Sequence, residues 1–187
     1  MFRTLCGLVA IIVATGSATA QDVATKAGEA EALARDGKFI EAMAALDEAA
    51  YAVWEKAPLT FRRALWVAEP PGGFGLYNPR EDNVFASGAE MIAYVEPVGF
   101  GWRKSGDVWM TDLVADLVVK SKDGEVLASQ SDFQQLQITS RVRNREFMAR
   151  FTYTFTGISA GEYAVETVLR DKVSGKSGTF TLPITVR

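Results

Sequence analysis

From residue 59 onward, apolar and polar side chains alternate with a period of two. Phe147, Ala149, Phe151, Tyr153 and Phe155 hold one phase, and Arg150, Thr152, Thr154 and Thr156 hold the other. Leu113, Ala115, Leu117 and Val119 stand in the same way against Asp112, Asp116 and Lys120. Phe180, Leu182, Ile184 and Val186 alternate with Thr179, Thr181, Pro183 and Thr185. Such stretches are half-buried strands with one wet face. Further strands are expected over 64–68, 90–96, 125–130 and 163–171, so seven fit between residues 60 and 187. Lys122-Asp123-Gly124 and the 173–176 segment read as hairpin turns with glycine at the left-handed position. Pro183 has no N–H to give a ladder, which places it at an edge or a bulge.

Residues 21–56 follow a different rhythm. Phe39, Met43, Leu46, Ala50 and Val53 recur at steps of three and four, with Glu41, Asp47 and Glu48 facing elsewhere. That is an amphipathic helix. Ala42, Ala45 and Ala49 give it a flat side on which a neighbour can approach closely. The segment is rich in Ala, Glu and Lys, and Gly37 can end a first helix, so helices are expected over 22–35 and 38–56. The pattern thus predicts a mainly β chain with an N-terminal α-helical hairpin. The hairpin would cover 21–57 and an antiparallel β-sandwich would cover 58–187.

The first twenty residues belong to neither rhythm. Arg3 precedes an uncharged, mostly apolar run over 5–14, and Ala18-Thr19-Ala20 supplies small residues at a cleavage site. This is the layout of a secretory signal peptide over 1–20, with the mature chain starting at Gln21. The apolar run is shorter than the roughly 20 residues a spanning helix needs, so no stable membrane anchor is expected after cleavage. An exported protein, most simply a periplasmic one, follows.

Cleavage changes the chemistry available. The sole cysteine, Cys6, lies near the start of the apolar run, the wrong place for a lipidated cysteine, and would leave with the leader. The chain has no histidine. Histidine- and cysteine-based triads, His zinc sites and imidazole switches are therefore excluded from the mature form, and no cofactor or metal is expected. Of 187 residues, 20 are basic and 23 acidic, and loss of Arg3 takes the net charge from −3 to −4. A mildly acidic protein offers no electrostatic case for nucleic acid.

Two resemblances add to this reading. Leu33, Gly37, Phe39, Ala42, Leu46 and Ala49 resemble a single tetratricopeptide-type helical hairpin, although Pro58 comes late for that pattern and no second copy follows. Gly161-Glu162-Tyr163, followed by Arg170-Asp171-Lys172 and Ser174-Gly175-Lys176, resembles the closing hairpin of bacterial immunoglobulin-like or fibronectin-like sandwiches. That likeness implies an immunoglobulin-like β-sandwich in which the Tyr163 hydroxyl anchors a corner. It implies no chemistry.

The candidate binding residues are aromatic. Phe74, Tyr77, Phe100, Trp102 and Trp109 fall among Gly72, Gly73, Gly75, Gly99 and Gly101, and 70–85 reads as a long loop. Large rings on loops of a rigid scaffold suit a partner, a peptide or a glycan, with Tyr77, Trp102 and Trp109 partly exposed. The alternative is that these rings plug the ends of the sandwich. Gly72-Gly73-Phe74-Gly75 lacks the Gly-Lys-Ser/Thr ending of a phosphate loop. Asp112 and Asp116, four residues apart on one strand, stand about 13 Å apart by rise, too far for a tight acid pair. Glu81, Asp82 and Asn83 lack the spacing of an EF-hand calcium loop. Arg141, Arg143, Arg145 and Arg150 are either a solvated face or a docking patch for an acidic partner. The expectation is a non-enzymatic binding or adaptor protein that contacts another cell-envelope protein. A carbohydrate- or peptide-binding module and a carboxylate-dependent hydrolase are the alternatives.

Overall fold

The computed structural model describes residues 17–187. Arg3, the apolar run and Cys6 of the expected leader lie outside the described residues. The chain forms two compact units, which divide between Val53 and Trp54.

The first unit is a pair of helices, α1 (Ser17–Arg35) and α2 (Phe39–Lys56), whose last turn belongs to the second unit. α1 begins five residues before the expected start and takes in Ala18 to Ala20. It ends at Gly37, whose φ of 76° lets its N–H reach the Ala34 carbonyl (3.0 Å) while the Lys38 N–H reaches that of Leu33 (2.9 Å). The helices meet through small side chains. Ala30, Ala42 and Ala45 are buried together, with Leu33 and Ala34 packed against them. The alanine side of α2 therefore faces inward, as its flatness suggests. The large apolar stripe on the same helix does not.

The second unit is β. Nine strands stand among the described residues where seven were expected, because two short ones join them. They are β1 (Thr60–Val67), β2 (Val84–Phe85), β3 (Glu90–Val98), β4 (Arg103–Ser105), β5 (Val108–Ser121), β6 (Val126–Ser140), β7 (Ala149–Thr154), β8 (Gly161–Asp171) and β9 (Ser177–Val186). One sheet has the order β1-β3-β7, all antiparallel. The other has the order β2-β9-β8-β5, with β4 and β6 both pairing β5. Only β2, against β9, is parallel.

The inner faces meet through the residues that the alternation marks as apolar. Ala93, Leu113, Ala115, Phe151, Tyr153, Val165, Leu169 and Ile184 are buried. Phe151 packs against Phe180 across the gap, ring centroids 5.7 Å apart, and the Tyr153 hydroxyl meets that of Thr167 at 2.8 Å. Trp66 of β1 donates its indole N–H to the Pro183 carbonyl of β9 at 2.8 Å. Pro183 thus sits where β9 has β8 on one side and no ladder on the other, since β2 pairs only Thr185 and Val186. At the opposite edge, Phe133 of β6 stacks on Tyr153 (5.3 Å), and the Gln134 amide donates to the Arg150 carbonyl of β7 (3.0 Å). The six-stranded sheet curls there to meet the smaller one.

Residues 54–59 are stitched into this β unit. Trp54 donates its indole N–H to the Phe100 carbonyl at 2.7 Å and packs edge-on against the Phe100 ring. The Lys176 ammonium donates to the carbonyls of Glu55, Ala57 and Gly99, each at 2.8 Å. Gly99 has φ 84°, and a Cβ there would stand 2.4 Å from the Pro58 carbonyl oxygen, so only glycine fits.

Candidate functional site

The loop from Ala68 to Asn83 is an irregular hairpin that leaves β1 and folds back. The Ala68 and Arg80 N–H groups bond the Asn78 and Trp66 carbonyls, and Gly73 bridges Leu76. It covers the outer face of the small sheet. That face carries Ile92, Tyr94 and Glu96, which a two-sided strand with one wet face would leave in water, and all three are buried. Tyr77 stacks on Tyr94 with ring centroids 4.1 Å apart. The Gly75 N–H donates to the Tyr94 hydroxyl (2.7 Å), which donates to the Glu96 carboxylate (2.7 Å). Arg62, 3.8 Å from Glu96, lies over the Phe74 ring. Burial pushes the Tyr94 hydroxyl up to about 12, with the Gly75 N–H opposing it and the neighbouring carboxylate adding to it. Phe74 and Tyr77 are half-buried and hold the loop down on this network. The burial and pairing of Tyr94 and Glu96 were not foreseen from the sequence, although the near-continuous apolar run of β3 is the signal for a strand covered on both faces.

Trp102, Trp109 and Phe100 lie in different surroundings. Phe100 is fully buried between Trp54 and Phe147 and serves as core. Trp102 is half-buried beside Phe100, and its buried indole nitrogen has no hydrogen-bond partner among the described residues. Trp109 is half-buried on β5, with Lys104 5.9 Å and Arg143 5.0 Å from its ring centre. Of the five aromatic candidates, Tyr77 stacks on Tyr94 and Phe74 of the same loop lies under Arg62, while Phe100 and Trp102 form a second cluster. Trp109 has its ring engaged by cations.

The acidic candidates are tied into structural pairs. Asp116 accepts from Arg170 at 2.7 and 2.9 Å and from the Asp132 N–H at 2.8 Å, and the guanidinium holds its carboxyl below the usual range. Asp112 accepts from Gln135 and Gln137, and these amides lower it likewise. Asp82 is held by Arg80 and the Val84 N–H. Asp171, buried at the end of β8, accepts from the Gly101 and Val173 N–H groups and from the Ser174 hydroxyl. Arg143 sits 3.5 Å from Glu55, and Arg141 and Arg150 are exposed. Among the described residues no three His, Cys, Asp or Glu side chains converge as a metal site would need.

Among the described residues, most of the exposed large hydrophobic side chains lie in the helical unit. Phe39 is 65% exposed, Met43 54%, Leu46 51% and Val53 55%, with Ile40 beside them. Phe39, Met43 and Leu46 form one wall of a groove of about 410 Å³ whose floor is Ala27, Ala30, Ala34 and Ala42 and whose rim holds Glu31. Periodicity marks the stripe as one face of α2, and in the structure it is the alanine side that meets α1. Large side chains cannot enter the close alanine contact with α1, so they stand outside it.

No protein-family model matches the chain, and no curated protein matches its sequence. Solved structures resemble it loosely. A Niemann-Pick type C2 protein from Japanese carpenter ant shares 7% identity over 70% of this chain and 94% of that one, with a TM-score of 0.41. The sporulation control protein Spo0M of Bacillus subtilis shares 16% over 70% of this chain and 50% of its own, at 0.33. The Pseudomonas fluorescens alkylpurine DNA glycosylase AlkC, bound to DNA with an abasic site analog, shares 9% over 79% of this chain and 38% of its own, at 0.38. At these scores none carries an argument about this chain.

Proposed function

We propose that the chain is an exported, non-enzymatic binding or adaptor protein that contacts another cell-envelope protein. The observation that carries this reading is the solvent-exposed stripe Phe39, Met43, Leu46 and Val53 on α2. Monomeric proteins seldom leave a contiguous apolar surface of this kind in water without an interaction to serve. The leader-like residues 1–20 support export, and the thiol- and imidazole-free remainder supports a scaffold rather than a catalyst. The β unit is read as an immunoglobulin-like sandwich. In support, Tyr163 at the start of the penultimate strand donates its hydroxyl to the Ser159 carbonyl four residues upstream at 2.9 Å, as a tyrosine corner does.

The test is site-specific photo-crosslinking in the producing cell. A crosslinker at Met43 or Leu46 should give a discrete adduct that a second substitution in the stripe removes. One at Lys122, on a β-hairpin turn, should give none. Equal labelling from all three positions, or no adduct from the stripe, would sink the reading. Mass measurement of the exported protein checks its start, expected at Gln21.

A further inference from the structure

Resting on that docking reading, we infer that the groove of the helical unit receives a basic amphipathic helix of a partner protein. The occupant's shape comes from the stripe. Phe39, Met43, Leu46, Ala50 and Val53 are spaced four, three, four and three, two heptads of a coiled-coil seam. A seam of that period is matched by another helix lying nearly parallel to it, its knobs set between these side chains. Small side chains, Ala27, Ala30 and Ala34 of α1 and Ala42 of α2, line the groove beside that seam.

The occupant's charge comes from how the chain distributes its own. Between residues 21 and 53 there are seven acidic side chains and three basic ones, a surplus of −4. From 54 to 187 there are sixteen of each. The whole net charge of the expected mature chain therefore lies on the unit that bears the apolar stripe, and Glu31 stands at the rim of the groove. A field of one sign favours a partner of the other and repels like surfaces. A second copy would bring two acidic units together, and an anionic lipid surface would be repelled. A helix with leucine-like anchors flanked by Lys and Arg satisfies both the seam and the field.

The experiment titrates the protein, produced from the full reading frame, with two fluorescent 18-residue amphipathic peptides. One places Leu at the seam positions and Lys elsewhere, and the other replaces each Lys by Glu. The Leu/Lys peptide should bind saturably and at least tenfold more tightly than the Leu/Glu peptide. Its affinity should fall severalfold between 50 and 500 mM salt, roughly the range over which screening shortens from above 10 Å to below 5 Å. Met43→Gln with Leu46→Gln should weaken it at least tenfold, with the helical circular dichroism unchanged. Equal binding of the two peptides would overturn the charge assignment and leave the docking reading standing. Binding of neither would overturn both. A dimer by light scattering that the double substitution makes monomeric would show that a second copy holds this face, and would overturn the proposal.

Discussion

Single side chains do most to fix the outer face of the small sheet. Tyr94 is both acceptor for the Gly75 N–H and donor to Glu96, so its hydroxyl links the loop backbone to the buried carboxylate. Tyr94→Phe keeps the ring stack on Tyr77 but removes the hydroxyl from the Gly75 N–H and takes a donor from the buried Glu96. The expected cost is about 2 kcal/mol in urea unfolding, in the range for a buried polar group left unpaired. An unchanged midpoint would mean that the loop does not depend on this bond. A second residue-scale prediction concerns acid. Asp116 and Asp112 are both lowered in the folded state, the first chiefly by Arg170 and the second by Gln135. A carboxyl depressed on folding stabilises above its unfolded value, about 4, and that contribution is lost as pH falls through the folded value. Stability should therefore drop steadily below about pH 4. Asp116→Asn with Asp112→Asn should flatten that part of the curve, as followed by chemical denaturation from pH 6 to pH 2.5.

At the scale of elements, α2 shows what a periodic pattern can and cannot tell. Two apolar faces run along this helix, one of alanines and one of larger side chains, and periodicity alone does not say which is inside. The structure buries the small one. Ala45→Leu should thus destabilise the helical unit by about 2 kcal/mol through overpacking. Leu46→Ala, ordinarily the damaging change, should stay within about 0.5 kcal/mol, since it alters an exposed position. Thermal melts followed at 222 nm decide between the two orders. The β unit was more legible. Alternation located β5, β7 and β9 because one face of each is dry, and Tyr163 was placed at the start of its strand by the resemblance to immunoglobulin-like closing hairpins. β6 was legible only as far as Gln130. Beyond it, the bulge opposite Ala115 and Leu117, with Asp132 at φ 52°, breaks the alternation, and the strand runs on through glutamines to Ser140. The burial of Glu96 was not legible, because it depends on a loop folding over it from 20 residues earlier in the chain.

For the whole molecule, the question is where one unit gives way to the other. The sequence changes character at Pro58, where helix-forming composition ends. The structure divides four residues earlier, and the reason is chemical rather than compositional. Val53 is the last member of the exposed stripe, while its neighbour Trp54 is buried and bonds to the β unit through Phe100. Lys176 then holds the Glu55 and Ala57 carbonyls, so the end of α2 is fixed by contacts reached across more than a hundred residues of chain. Adjacent positions should consequently respond very differently to truncation. Trp54→Ala removes a large buried ring and leaves the Phe100 carbonyl unpaired, and should cost the β unit about 3 kcal/mol or more. Val53→Ala should leave that transition within about 0.5 kcal/mol of the parent. Near-ultraviolet circular dichroism during urea unfolding follows the β unit, which holds all four tryptophans. If the two variants shift that transition equally, the division belongs at Pro58. If only Trp54→Ala shifts it, the last turn of α2 is part of the β core, and the docking stripe ends where that core begins.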